Sequence, residues 1–228
     1  MADLHIVIPL YPEVTHLDFT GPHQVFARLP DTRITVASKG GQDIVADGLT
    51  FAHLADLAKV EACDVLCVPG GFGTTAAMLD EDFMREIRRL ASGAKYLTSV
   101  CTGSLVLAAT GLIRGKRAAC HWAWRDQLEL FGVIDDDARV VRDGNVITGG
   151  GVTAGLDFAF TLAAELRGDA VAQTIQLGLE YSPSPPFNSG RPDTAPPEIL
   201  AAAKARMAPG MAGRRAGAEE AARRLQTA

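Results

Sequence analysis

Short apolar runs alternate along the chain with stretches of helical periodicity. Leu4-His5-Ile6-Val7-Ile8-Pro9-Leu10 is nearly continuous in apolar side chains, the pattern of a strand buried on both faces. Arg33–Ser38, Asp64–Val68, Tyr96–Val100 and Asn145–Thr148 read as further strands. Between them, a helix is predicted from about Pro22 to Leu29, with Thr20 as its cap and Pro22 in its first turn. Asp82–Ala91 carries Phe83, Ile87 and Leu90 on one helical face. Gly103–Thr110 is a helix stopped by Gly111, and Thr153–Leu166 is a strongly apolar helix. Strands separated by helices predict an α/β fold, a mostly parallel sheet covered by helices on both faces.

Composition narrows this picture. The 228 residues are 47 % hydrophobic and 21 % charged, which excludes disordered, collagenous and coiled-coil classes. A body of this size buries about 70 % of its unfolded surface and needs no staples. Four cysteines (Cys63, Cys67, Cys101, Cys120) are too few and too unevenly spaced for a disulfide framework. No signal peptide is evident at Met1, so a reducing cytoplasm is the expected compartment. No apolar run reaches the roughly 20 residues of a membrane span.

Net charge is −5, but it is unevenly spread: residues 204–228 carry +4 and residues 1–203 carry −9. The acidic body speaks against nucleic acid as the main partner. The Ala- and Arg-rich tail fits a helix packed on the body or on a partner subunit better than a nucleic-acid arm. We therefore expect one catalytic body over residues 1–195 and a helical extension over 196–228.

The most informative stretch is Ser99-Val100-Cys101-Thr102-Gly103-Ser104. A strand that runs into a cysteine, then a glycine opening a helix, is the layout of a nucleophile elbow. A thiol at a helix N-terminus is expected to have a lowered pKa. A buried, inert cysteine is the competing reading, and it suits Cys67 inside its apolar strand. Two glycine-rich turns, Gly70-Gly71 and Gly149-Gly150-Gly151, end strands. The second fits G-x-G-x-x-A formally but comes too late in the chain for a first β-α-β dinucleotide unit. Both suit an anion-binding or oxyanion-type wall of backbone N–H groups, or tight turns without chemistry. For a proton partner the sequence offers Asp18, on the rim beyond the first strand, and His121, which could equally be a packing residue beside Trp122. The Cys120-His121 pair makes no zinc spacing with Cys63 or Cys67, so no metal site is expected.

Together these segments resemble the DJ-1/PfpI superfamily of flavodoxin-like α/β proteins, from Leu4 to about Thr194. Within it they are most similar to the isocyanide (isonitrile) hydratases. The resemblance is carried by Leu17-Asp18-Phe19-Thr20-Gly21-Pro22, Pro69-Gly70-Gly71, Thr98 through Ser104, Gly115-Lys116-Arg117, His121-Trp122, Val141-Arg142-Asp143-Gly144-Asn145, Thr148 through Gly151 and Pro185-Pro186-Phe187-Asn188. Proteases and many glyoxalase-like members have histidine directly after the cysteine and glutamate on the first rim. This chain has Thr102 and Asp18. No long C-terminal helix-turn-helix region follows, unlike in regulators of the superfamily.

The resemblance implies hydration of a small-molecule isocyanide to an N-substituted formamide, without a cofactor, by a homodimer. It implies Cys101 as nucleophile and Asp18 as general acid and base, with Thr102 orienting sulfur or substrate. Gly71, Gly151 and Val152 would wall the pocket, with His121 and Trp122 behind it. Two alternatives are a superfamily enzyme acting on reactive carbonyls (a glyoxalase or deglycase) and a redox sensor in which Cys101 oxidises without turnover.

Overall fold

A computed structural model describes residues 3–227. The first half runs β1 (Leu4–Leu10), α1 (Leu17–Phe26), β2 (Thr32–Ser38), β3 (Ile44–Ala46), β4 (Leu49–Phe51), β5 (Ala55–Asp56), β6 (Val65–Val68), α2 (Thr74–Leu79), α3 (Glu81–Gly93), β7 (Tyr96–Val100) and α4 (Gly103–Ala108). The second runs β8 (Arg117–Ala118), β9 (Ile134–Asp135), β10 (Val140–Asp143), β11 (Val146–Gly149), α5 (Ala154–Arg167), α6 (Asp169–Gly178), α7 (Pro197–Met207) and α8 (Met211–Thr227). Among the described residues no helix is long and apolar enough to cross a membrane.

The main sheet has the order β10-β11-β7-β6-β1-β2-β5. All its pairings are parallel except β10 with β11. Its principal strands, β2-β1-β6-β7-β11, follow the flavodoxin-like order, in which the topology switches direction between β1 and β6. At such a switch the connections leave opposite faces of the sheet and open a crevice beyond the strands' C-terminal ends. Helix α1 packs on α5, and α5 on α6; α2 packs on α3, α4 and α8. The sheet lies between these two layers.

Burial explains the apolar runs. All seven residues of β1 are buried. Its one polar residue, His5, is fully engaged: Nδ1 meets the Ala62 carbonyl at 2.7 Å and Nε2 meets Thr35 Oγ1 at 2.8 Å. Helix α3 turns Phe83, Met84, Ile87 and Leu90 inward. Its start is set by Asp80, whose Oδ1 accepts from the N–H groups of Asp82 and Phe83, a cap worth about 1 kcal/mol.

The first helix departs from the sequence expectation. It begins at Leu17, not Pro22, and Thr20 is inside it, donating to the His16 carbonyl. Pro22 is also interior. Its missing N–H leaves only the carbonyl four residues earlier without a helical partner, and in a helix this short that loss is tolerated. The shift places Asp18 in the helix's first turn rather than in a loop.

Candidate active site

Four chain reversals meet at the C-terminal edge of the sheet: those after β1, β6, β7 and β11. Cys101 sits at the third, where β7 turns into α4, and adopts φ = 59°. That left-handed conformation is uncommon for a residue with a side chain and marks a strained elbow. Its N–H is shared between the carbonyls of Gly149 (3.0 Å) and Gly150 (2.7 Å). The Gly149-Gly150-Gly151 turn therefore holds the elbow with its carbonyls. From the other side, Ser104 Oγ reaches Ser99 Oγ and the carbonyls of Cys101 and Ala119.

Close approach dictates the glycine after the elbow. A Cβ on Gly103 would lie 2.1 Å from the Val68 carbonyl oxygen, so α4 meets the end of β6 backbone to backbone. Gly103→Ala is expected to destabilise the fold by about 1–3 kcal/mol through overpacking. A lowered urea midpoint with unchanged m-value checks this.

Asp18 is completely buried. Its Oδ2 accepts from the Gly70 N–H at 2.9 Å, while Oδ1 has no hydrogen-bond partner. Burial is the main reason its pKa rises to about 7, against the pull of the Gly70 N–H. The Cys101 thiol lies close enough for the two groups to bias each other's proton, without a well-formed hydrogen bond in this state. Catalytic pairs often tighten only once substrate is bound.

The thiol itself contradicts the expectation of a lowered pKa. Cys101 is 4 % exposed. Burial first, and then the Asp18 charge, push its pKa well above 9, opposed by the Thr102 N–H. The helix N-terminus is visible in sequence, but the desolvation that outweighs it is not. The two groups thus form an acid–base pair that holds one proton between about pH 7 and the raised thiol pKa.

Thr102 lies in the same cluster, but its hydroxyl is committed. It accepts from the Gly71 N–H at 2.9 Å and meets Thr74 Oγ1 at 2.7 Å. Tyr11 extends this network, donating to the Pro69 carbonyl at 2.7 Å and meeting Thr74 Oγ1 at 3.1 Å. Neither Tyr11 nor Thr74 stood out in the sequence, because each is one polar residue in an ordinary run. The Thr102 backbone N–H is left as the group that works on the sulfur.

Gly151, Val152, His121 and Trp122 lie to one side. They line a cleft of about 920 Å3 between the body and the C-terminal extension, and neither Cys101 nor Asp18 is on its walls. Gly150 and Cys120 join the cleft to the elbow. His121 stacks on Trp122 (5.6 Å between centroids) and meets Trp124 edge-on (4.7 Å). Burial lowers its pKa to about 4, so the ring is neutral at ordinary pH. With Nδ1 accepting from the Ala123 N–H at 3.2 Å, the proton belongs on Nε2. Cys67 is fully buried, with its thiol pushed up to about 12, as an inert core cysteine requires. Among the described residues there is no group of three or more His, Cys, Asp or Glu side chains placed to hold a metal ion.

The profile of the DJ-1/PfpI family matches residues 4–165. Isonitrile hydratase of Pseudomonas putida is 48 % identical over 97 % of this chain and 98 % of its own length. A crystal structure of a ThiJ/PfpI family protein from Pseudomonas syringae superposes with a TM-score of 0.91 at 41 % identity, covering 97 % of this chain and 91 % of that one. The crystal structure of Drosophila melanogaster DJ-1beta gives a TM-score of 0.69 at 27 % identity, covering 80 % of this chain and all of its own.

Proposed function

The chain belongs to the DJ-1/PfpI family, and from that premise we propose that it adds water to an isocyanide, giving an N-substituted formamide. The observation that carries this reading is the sealed Cys101–Asp18 pair, set in a chain 48 % identical over nearly its whole length to an isonitrile hydratase. An isocyanide carbon is a soft electrophile that must gain both a nucleophile and a proton. A thiol beside a carboxylate of pKa about 7 supplies both.

In the reactive form the pair holds one proton. As Cys101 Sγ bonds to the terminal carbon, its proton passes to Asp18, which delivers it to that same carbon. The product is a thioimidate, R–N=CH–S–Cys101. The unpartnered Asp18 Oδ1 then takes a proton from a water that adds to the carbon, and passes that proton to the nitrogen. Collapse of the tetrahedral adduct expels the thiolate, which recovers the adduct's hydroxyl proton by way of Asp18, and R–NH–CHO leaves. Atoms balance as isocyanide plus water, and no electrons are exchanged, so the scheme calls on no cofactor. The Thr102 N–H steadies the sulfur as its charge develops.

The redox-sensor alternative fits the site poorly, because sensor thiols are exposed and of low pKa, whereas Cys101 is neither. Purified protein incubated with an aryl isocyanide, and separately with methylglyoxal, tests the substrate class. Formamide in the first and no lactate in the second is expected; lactate without formamide would move the assignment to a carbonyl-acting enzyme.

We also read the working unit as a cytoplasmic homodimer. Leu177, Phe187 and Ile199, 82 %, 79 % and 50 % exposed in the single chain, are apolar surface that a second copy would cover. Light scattering is expected to give twice the monomer mass, and a monomer at micromolar concentration would refute this.

A further inference from the structure

Helix α8 lies outside the family-matched segment, yet it touches two loops beside the site. Its Arg214 guanidinium carbon is 4.8 Å from the centre of the Phe72 ring and 5.7 Å from that of Trp124. Those rings are 6.3 Å apart and belong to different loops. Phe72 follows Gly70 and Gly71, whose N–H groups hold Asp18 and Thr102. Trp124 packs edge-on against His121 in the wall of the cleft. One side chain of the extension thus bridges both loops that flank Cys101.

Two features make this more than a chance surface contact. Arg215, Arg223 and Arg224 each pair with carboxylates. Arg214 is half-buried and, among the described residues, has none within ion-pair distance. Its charge is given instead to the faces of two rings. The helix that carries it is also firmly seated. Ala218, Ala221 and Ala222 are buried, and a Cβ on Gly217 would fall 2.2 Å from Thr75 Cγ2. Phe72 and Arg214 also close one side of a cavity of about 420 Å3, walled opposite by Glu13–Thr15 and Val45–Asp47. That cavity adjoins Gly71, which bridges to Val14.

We propose that Arg214 is a positioning residue that clamps Phe72 and Trp124 together and sets how bulky a substituent reaches Cys101. The inference takes its substrate, an isocyanide with a variable R group, from the function proposed above. The clamp itself is testable without that substrate.

The test measures alkylation of Cys101 by a small probe, iodoacetamide, and a bulky one, N-phenylmaleimide, located by peptide mass in wild type, Arg214→Met and Arg214→Lys. Loss of the charge-on-ring contacts in Arg214→Met is expected to raise the bulky-to-small rate ratio about fivefold, with Arg214→Lys in between. Fluorescence of the chain's two tryptophans should become more accessible to acrylamide in the same order. In turnover, KM for an aryl isocyanide should shift relative to a methyl isocyanide while kcat holds. An unchanged probe ratio overturns the clamp, as does an equal rise with both probes, which would mean general loosening. If Arg214→Met does not fold, Gly217→Leu, which pushes α8 off Thr75, must raise the ratio instead. A shifted ratio in a protein that turns over no isocyanide upholds the clamp and refutes only the substrate.

Discussion

Cys101→Ala will leave no measurable isocyanide hydration, a fall of about 10^4-fold or more in kcat. The size follows from the scheme: the thiol forms the covalent bond and also carries the proton that Asp18 passes on. No other nucleophile stands in, since the nearest second thiol, Cys120, is buried with its pKa pushed up to about 12. The fold should survive, because alanine can occupy the elbow with its backbone hydrogen bonds to Gly149 and Gly150 intact. Cys101→Ser tests the chemistry more finely. It keeps a hydroxyl beside Asp18 but replaces a soft nucleophile with a hard one, and it too should be nearly inactive. Formamide production by Cys101→Ala, measured by absorbance or mass, would remove Cys101 from the reaction.

The second large effect is expected for Asp18→Asn. Loss of the general acid and base should lower kcat by about 10^2–10^4-fold. Wild-type kcat/KM should rise with pH through about 7 and then level off, because below that pH both Asp18 and Cys101 are protonated and no base remains. In the variant this acid limb should vanish. Stability should move the opposite way. The folded Asp18 binds its proton more tightly than an ordinary carboxyl of pKa 3.8. The cost of ionising it in place is therefore absent below pH 3.8, grows from there to about pH 7, and is fully present above. Its full extent is on the order of 4 kcal/mol. Asparagine escapes that cost, so the variant's Tm should exceed that of wild type by a margin that widens between pH 4 and pH 8. A variant that is both slower and more heat-stable at pH 8 would mark Asp18 as a buried charge kept for chemistry. A limb that persists in Asp18→Asn would assign it to another group.

Legibility in the sequence was governed by whether a signal is local. The strand-to-helix step at Cys101 and the nearly continuous apolar run of β1 declare themselves within seven residues. Asp18 could be placed on the same rim as Cys101 once a parallel sheet was inferred. The start of α1 could not be placed, because His16 offers no side-chain cap and Pro22 imitates a first-turn proline. The β3–β4 hairpin and the antiparallel edge strand β10 are three or four residues long, too short for alternation to register. The sign of the Cys101 shift was hidden because a helix terminus is a local feature and burial a tertiary one. Arg214 and its two rings were hidden for the same reason: they meet only when α8 folds back across α2.

The most direct test of the central claim is rapid-quench intact-mass measurement of wild-type protein mixed with an aryl isocyanide. The scheme predicts a transient adduct equal in mass to the whole isocyanide, mapped to the Cys101 peptide, that decays as formamide appears. Formamide forming at full rate with no adduct on Cys101 at any time would contradict it.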